Sequence, residues 1–331
     1  MGIDRRDFLK AALAGGTLLA AGGKAQARED LKQPGEALGL LYDSTLCIGC
    51  KACVAACKES NGLPPEFSTS EQYWDMPLDL SGKTKNVIKM YKSGSGENKD
   101  KDKEENGYAF MKMSCLHCND PSCVSACPVS AMTKDPQTGV VGYDAGACIG
   151  CRYCVAACPF GVPRFEYDTP FPKIVKCELC RHLKPGDKFE YSACAQVCPT
   201  GATLFGKSKD LLAEAKRRLA LKPGSTAVYP RGKLGGADQS YEGTAGNYQQ
   251  HVYGEKEYGG TQVYKIAAVP LEKLGLVKLP DHSSAATSET MQHTLYGGLI
   301  MPLAVLGGLV YVARRNLKEE GEHEENQDAG K

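Results

Sequence analysis

Apolar and polar positions along most of this chain are arranged in short stretches, and long apolar runs are confined to its two ends. Leu40, Leu41 and Tyr42 before Asp43 predict a short strand, and Tyr108 to Ser114 a second. Val140 to Tyr143 predicts a third, placed after the turn-forming stretch Asp135 to Gly139. Ser208 to Leu221 carries the period of an amphipathic helix and is stopped by Pro223 and Gly224. Residues 225 to 292 have weak periodicity and many Gly, Tyr and Pro, which predicts an extended arm, with Thr261 to Val269 adding a strand. Between the first two strands, residues 58 to 107 read as an insertion. Ser93 to Gly96 and the charge-dense Asn98 to Asn106 predict an exposed loop within it. Trp74 lies in this insertion and is expected to be a buried anchor, with a partner contact as the alternative.

The C-terminal apolar run, Leu295 to Ala313, has 19 residues without a charge and is followed by Arg314, Arg315 and Lys318. That length crosses a bilayer as one helix, and the positive flank favours the cytoplasmic side. Pro302 and the glycines at 297, 298, 307 and 308 are tolerated in such helices, and Ala304 with Gly308 forms a small-xxx-small pair suited to a helix partner. A polar tail, Glu319 to Lys331, is expected to be disordered. At the other end, Asp4-Arg5-Arg6-Asp7-Phe8-Leu9-Lys10 resembles the twin-arginine pattern, departing at its first position. Ala11 to Gly23 follows as a mildly apolar stretch, and Ala25-Gln26-Ala27 fits a cleavage site. Residues 1–27 are therefore expected to be an export signal.

The chemistry lies in the cysteines. Cys148, Cys151, Cys154 and Cys158 before Pro159 read C-x2-C-x2-C-x3-C-P, the run of bacterial ferredoxins with two [4Fe–4S] clusters. Cys47, Cys50, Cys53 and Cys57 repeat it, with Lys58 in place of the proline. Cys115, Cys118, Cys123 and Cys127 give C-x2-C-x4-C-x3-C before Pro128. Cys177 and Cys180, then Cys194 and Cys198 before Pro199, form the fourth quartet around a 13-residue insertion. All 16 cysteines fall into these quartets, enough for four [4Fe–4S] clusters. Disulfides do not require C-x2-C spacing in every group, and structural zinc does not require the C-x3-C-P element.

Three closely spaced thiolates serve one cluster, and the fourth of each run serves the neighbour. Quartets two and three are adjacent in sequence, so quartet one pairs with four and one ferredoxin unit is inserted into the other. The expected ligand sets are Cys47, Cys50, Cys53 and Cys198; Cys177, Cys180, Cys194 and Cys57; Cys115, Cys118, Cys123 and Cys158; and Cys148, Cys151, Cys154 and Cys127. Lys51, Lys112, Arg152, Lys173, Lys176 and Arg181 flank the motifs and are expected mostly as solvated charges. His117 and His182 are expected to form hydrogen bonds or lie at the surface rather than act as ligands, because the thiolate count is complete.

The formal net charge of +1 falls to −1 without residues 1–27. Four oxidised clusters at about −2 each would bring it to roughly −9. No basic stripe remains to suggest nucleic acid. The chain has no G-x-G-x-x-G turn, no P-loop and no C-x2-C-H haem site. No substrate site of its own is expected, so catalysis belongs to a partner.

The four-quartet arrangement resembles the iron–sulfur subunits of membrane-bound oxidoreductases, among them those of molybdopterin enzymes. Most specifically it is similar to the ferredoxin-type subunit of the hydrogenase-2 class of membrane-bound [NiFe] hydrogenase. The similarity extends beyond the cysteines to Leu41–Leu46, Glu105–Ala109, Leu219–Ser225, Tyr253–Lys256, Gln292–Tyr296 and Pro302–Val305. It implies an electron-transfer subunit between the large and small subunits of a [NiFe] hydrogenase and an integral membrane quinone-reactive subunit. It also implies a place on the periplasmic face of the inner membrane, with the bilayer contacted through 293–313. The same wire on a molybdenum or tungsten oxidoreductase, such as a formate dehydrogenase or polysulfide reductase, is the alternative; a non-redox zinc or disulfide protein is the alternative of another class.

The expected fold class is α+β, with two ferredoxin-like bicluster units, one inserted in the other, an extended C-terminal arm and a single transmembrane helix. The expected boundaries are a signal at 1–27, the first part of the outer unit with its insertion loop at 28–107, and the inner unit at 108–170. The outer unit resumes at 171–207, followed by the helix and arm at 208–292, the anchor at 293–313 and the tail at 314–331.

Overall fold

The computed structural model describes residues 27–67, 76–236 and 239–328. The expected signal before residue 27, Trp74 and the last three residues of the tail lie outside the described residues. Helix and sheet are mixed throughout, as an α+β chain requires. Residues 30–285 form one compact unit, and the described residues outside that range belong to a second.

The larger unit is built on a four-stranded sheet. Its strand order is Gly232–Lys233, Thr203–Lys207, Leu38–Asp43, Val263–Ile266. Leu38–Asp43 runs antiparallel to Thr203–Lys207, with Leu40 opposite Phe205, and parallel to Val263–Ile266, with Leu40 opposite Val263. Side chains alternate across a strand, and here the alternation sorts two cores. Leu41, Leu204, Tyr264 and Ile266 pack with Leu211 and Ala215 of the helix Ser208–Leu219. Leu40, Tyr42, Phe205 and Val263 face the opposite way, into the core that holds Cys47, Cys53, Cys115, Cys177, Cys194 and Cys198. The sheet therefore separates a conventional apolar layer from a sulfur-lined one.

Two stretches hold more structure than the sequence expectations gave them. The insertion at 58–107 is not only an exposed loop. Asn86–Lys92 forms a strand antiparallel to Gly107–Ser114, with Ile88 opposite Lys112, and Val87 and Ile88 are buried. The connection between the two strands is exposed from Gly94 to Asn98 and again from Lys103 to Asn106. The segment after residue 225 is likewise more than an arm laid over the surface. The strand expected within Thr261 to Val269 forms, as Val263–Ile266 at the edge of the central sheet, and the segment also contributes Tyr229, Tyr253, Leu271 and Leu274 to the core. Weak periodicity hid the core contribution because the segment's buried residues meet partners from distant parts of the chain rather than one another.

One polar network ties these layers. Arg218, 0% exposed, donates through Nη1 to Asp43 at 2.9 Å and through Nε to Glu214 at 2.8 Å. Tyr248 Oη donates to the same Asp43 carboxylate at 2.8 Å, and the Arg218 guanidinium lies over the Tyr229 ring. The network joins the first strand, the amphipathic helix and the C-terminal segment.

The second unit holds nearly all of the helix Ser284–Asp328. Its portion Ser284–Arg315 is apolar and long enough to cross a membrane, and Leu295, Leu299, Ile300, Leu303 and Leu306 are all exposed along it. Arg28 pairs with Glu289 at 2.6 Å beside its first turns.

Replacing one partner of a buried ion pair strands the other charge in the interior. Arg218→Met is therefore expected to destabilise the folded chain by about 3–5 kcal/mol, measured as a lower urea midpoint by circular dichroism of the cluster-loaded protein. Arg218→Met combined with Asp43→Asn, which removes the stranded charge, is expected to recover part of that loss.

Candidate iron–sulfur sites

Each quartet uses the same local device. The first two cysteines sit in a tight turn, and a short helix starts at or just before the third. These helices are Ala52–Ser60 with Cys53, Ser122–Ser125 with Cys123, Tyr153–Ala157 with Cys154, and Ala193–Gln196 with Cys194. The turn needs left-handed backbone. Gly49 and Gly150 both have φ of 72°, and Lys51 and Arg152 take φ of 58° and 62° just ahead of their helices. Gly49 is further constrained because a Cβ there would lie 2.4 Å from the Phe110 ring.

None of the sixteen cysteines is joined in a disulfide, and only Cys50 is exposed. Cys47, Cys50, Cys53 and Cys198 line one cavity, and Cys57, Cys177, Cys180 and Cys194 line another. Cys118 faces Cys115, Cys123 and Cys158, and Cys154 faces Cys127, Cys148 and Cys151. The sulfurs thus meet in four groups of four, and in each group one member comes from a sequence quartet other than that of its three companions. The groups also lie within electrostatic reach of one another in series. Cys53 senses Cys194, Cys177 senses Cys115, and Cys123 senses Cys154. This sets a linear order from the Cys47 group through the Cys177 and Cys115 groups to the Cys148 group.

The sites are prepared for thiolate charge. Backbone N–H groups of Gly150 and Leu179 donate to Cys148 and Cys177, each at 3.4 Å. Thr203 N donates to Cys198 at 3.4 Å and Met132 N to Cys127 at 3.5 Å, each five residues beyond the fourth cysteine of its quartet. Burial nonetheless opposes ionisation. Burial, followed by the neighbouring Cys194, pushes Cys57 up to about 11, and burial followed by Cys127 does the same for Cys154. A group of buried thiols held this way needs positive charge to ionise together, and iron supplies it. Among the described residues no group of three or more His, Cys, Asp or Glu is placed to hold a single metal ion. Tetrahedral zinc at about 2.3 Å would draw its sulfurs to within roughly 3.8 Å of one another. The corners of a cubane stand farther apart, so all-sulfur sets of four fit [4Fe–4S] clusters.

The basic residues divide in a way the sequence did not show. Arg152 and Lys173 are exposed, as expected, and Arg181 is exposed and paired with Glu178. Lys51 is half-buried and donates to Met76 O at 2.6 Å. Lys112 and Lys176, each 2% exposed, are not solvated at all. Lys176 donates to Val141 O and to Cys177 O. Lys134, outside the motifs, donates to Cys118 O at 2.8 Å; burial pulls it down to about 8 against the opposing pull of Cys118. The sequence signal for Lys112 is its place between Met111 and Met113 in a strand buried on both faces. His117 is fully buried, and its Nδ1 accepts the Val141 N–H at 3.0 Å. Burial, followed by Lys176, keeps it neutral. His182 is exposed and meets Ser60 O at 2.7 Å.

Comparison with known proteins points to the same kind of cofactor. A 4Fe-4S dicluster domain family matches residues 107–208, and a second family of the same description matches residues 46–131. The chain is 50% identical over 323 residues to the hydrogenase-2 operon protein HybA of Escherichia coli, covering 96% of this chain and 97% of the relative. The Shigella flexneri protein of that name gives the same figures. The iron–sulfur subunit of the nitrate-inducible formate dehydrogenase of Escherichia coli is 32% identical over 274 residues, covering 81% of this chain and 79% of the relative. The cofactors are four [4Fe–4S] clusters. The chain therefore belongs to the 4Fe-4S dicluster iron–sulfur family that includes the hydrogenase-2 operon protein HybA.

Proposed function

We propose that this chain is the electron-transfer subunit of a hydrogenase-2 type complex. It relays electrons between the small subunit of a [NiFe] hydrogenase and an integral membrane quinone-reactive subunit, with hydrogen splitting left to the large subunit. The observation that carries this reading is the unbroken series of four sulfur groups in a chain half identical to HybA along nearly its whole length. Clusters bound there each accept and release one electron, and the protein sets their spacing, burial and hydrogen bonding. The chain's own residues do the rest. The N–H donors to Cys148, Cys177, Cys198 and Cys127 stabilise thiolate charge, and the apolar walls exclude water. At the two ends of the series Ile48 and Ile149 are exposed beside their cysteines, 54% and 65%, as docking surfaces for redox partners require.

The proposed ligand sets are the crossed ones: Cys47, Cys50, Cys53 and Cys198; Cys57, Cys177, Cys180 and Cys194; Cys115, Cys118, Cys123 and Cys158; Cys127, Cys148, Cys151 and Cys154. With them goes the nested arrangement of one bicluster unit inside the other, across the boundaries at 107, 170 and 207. Support comes from where the sulfurs lie: Cys198 lines a cavity with Cys47, Cys50 and Cys53, Cys57 lines one with Cys177, Cys180 and Cys194, Cys158 stands by Cys118, and Cys127 stands by Cys154. The apolar helix supports a membrane anchor at 293–313. The proposed location is the periplasmic face of the inner membrane, reached by twin-arginine export.

Two measurements test this. The complex, solubilised gently from membranes, is expected to contain nickel and to reduce quinone in a hydrogen-dependent manner; molybdenum or tungsten without hydrogen-driven activity would move the chain to a formate dehydrogenase type of assembly. Cys158→Ala is expected to damage the cluster of Cys115, Cys118 and Cys123 while sparing that of Cys148, Cys151 and Cys154, as read by electron paramagnetic resonance. Loss of the latter instead would show that the fourth ligands are not exchanged.

A further inference from the structure

Lys112 occupies a position that burial alone makes unfavourable. It lies in the middle of the strand Gly107–Ser114, opposite Ile88, which lines the cavity of Cys47, Cys50, Cys53 and Cys198. Lys112 itself lines the neighbouring cavity of Cys57, Cys177, Cys180 and Cys194. No carboxylate or carbonyl oxygen bonds its ammonium, and the side chain that does reach it is the Cys194 thiol. The one carboxylate on that cavity, Glu178, is engaged with Lys85 and Arg181. Lys265, on the Val263–Ile266 strand, is also buried and offers no negative charge; burial, followed by the charge of Lys112, pulls it down to about 7. An ammonium out of water is costly unless an anion stands beside it. The groups that face Lys112 with negative charge are sulfurs. Burial works to depress its pKa, yet Cys194 and Cys53 outweigh it and hold the group above its ordinary value. Cys53 and Cys194 belong to different sulfur groups, so one cation serves both.

We propose that Lys112 is a fixed cation set between the first two sulfur groups, where it raises the reduction potentials of the two clusters they hold and leaves the far end of the series unaffected. Each one-electron reduction adds a negative charge, and a nearby positive charge in a poorly screened interior stabilises the reduced form more than the oxidised form. No proton transfer is required. The two ends of one chain would thereby differ in potential although Cys47-Ile48-Gly49-Cys50 and Cys148-Ile149-Gly150-Cys151 carry the same local sequence. The inference rests on the four-cluster reading, which the iron content of the wild-type chain tests separately.

The experiment is a redox titration of the whole complex followed by electron paramagnetic resonance, on wild type and Lys112→Met, with iron measured on both. Lys112→Met is expected to lower two of the four potentials, each by at least a tenfold change in the reduction equilibrium, which is about 59 mV for one electron, while the other two hold. Potentials that all stay in place with iron retained, or that all shift together, would overturn the proposal. Should Lys112→Met lose iron, Lys112→Arg decides: a return of iron and potentials with the charge supports the proposal, and failure to return assigns Lys112 to packing and overturns it.

Discussion

Sixteen thiolates held inside one small unit are the constraint on which the rest of this structure depends. An apolar interior resists charge, and like charges close together resist it further. The folded chain meets this with three devices. N–H groups point at sulfur from turns and from the start of neighbouring strands, as at Cys177 and Cys198. Lysines stand along the series, buried Lys112 at the first two groups, and buried Lys176 with half-buried Lys134 at the third. Iron completes the balance, which makes cluster loading part of folding rather than a step after it.

The apolar core is arranged to serve that constraint. The central sheet puts its helix on one face and its sulfur-lined layer on the other, so a single strand, Leu38–Asp43, takes part in both. That strand runs directly into the first cysteine turn, and Tyr42 donates from it to Phe110 O at 2.9 Å, fixing the Gly107–Ser114 strand that leads to the second quartet. The Arg218 network locks the same strand to the helix and the C-terminal segment. Cysteine turns with little regular structure of their own are thus held by hydrogen bonds and packing from outside them.

The family explains what the chain carries, and the packing explains how four similar motifs come to differ. The Cys47 and Cys148 turns share their glycine geometry, with the same φ at Gly49 and Gly150. Their surroundings do not match. Phe110 closes on Gly49, whereas Phe165 stands at ordinary contact distance from Gly150, and the buried Lys112 faces Cys53 of the former group. Redox proteins of this kind are tuned by such differences in burial, hydrogen bonding and charge rather than by the ligands themselves.

The amino-acid sequence by itself determined the cofactor chemistry, because thiolate spacing is local: in three of the quartets three ligands within seven to nine residues can only wrap something compact, and a Pro or Gly sets the turn. It also determined the first strand, the strands near 110 and 141, the helix Ser208–Leu219 and the apolar C-terminal run, since each is written in contiguous periodicity. Tertiary structure decided the remainder. Asn86–Lys92 becomes a buried strand only because Gly107–Ser114 pairs with it. Val263–Ile266 joins the sheet in parallel with a strand more than two hundred residues earlier. Lys112 differs from any surface lysine only by what the fold places around it. A side chain's charge is in the sequence, but its environment is made by residues remote along the chain, and no local pattern records them.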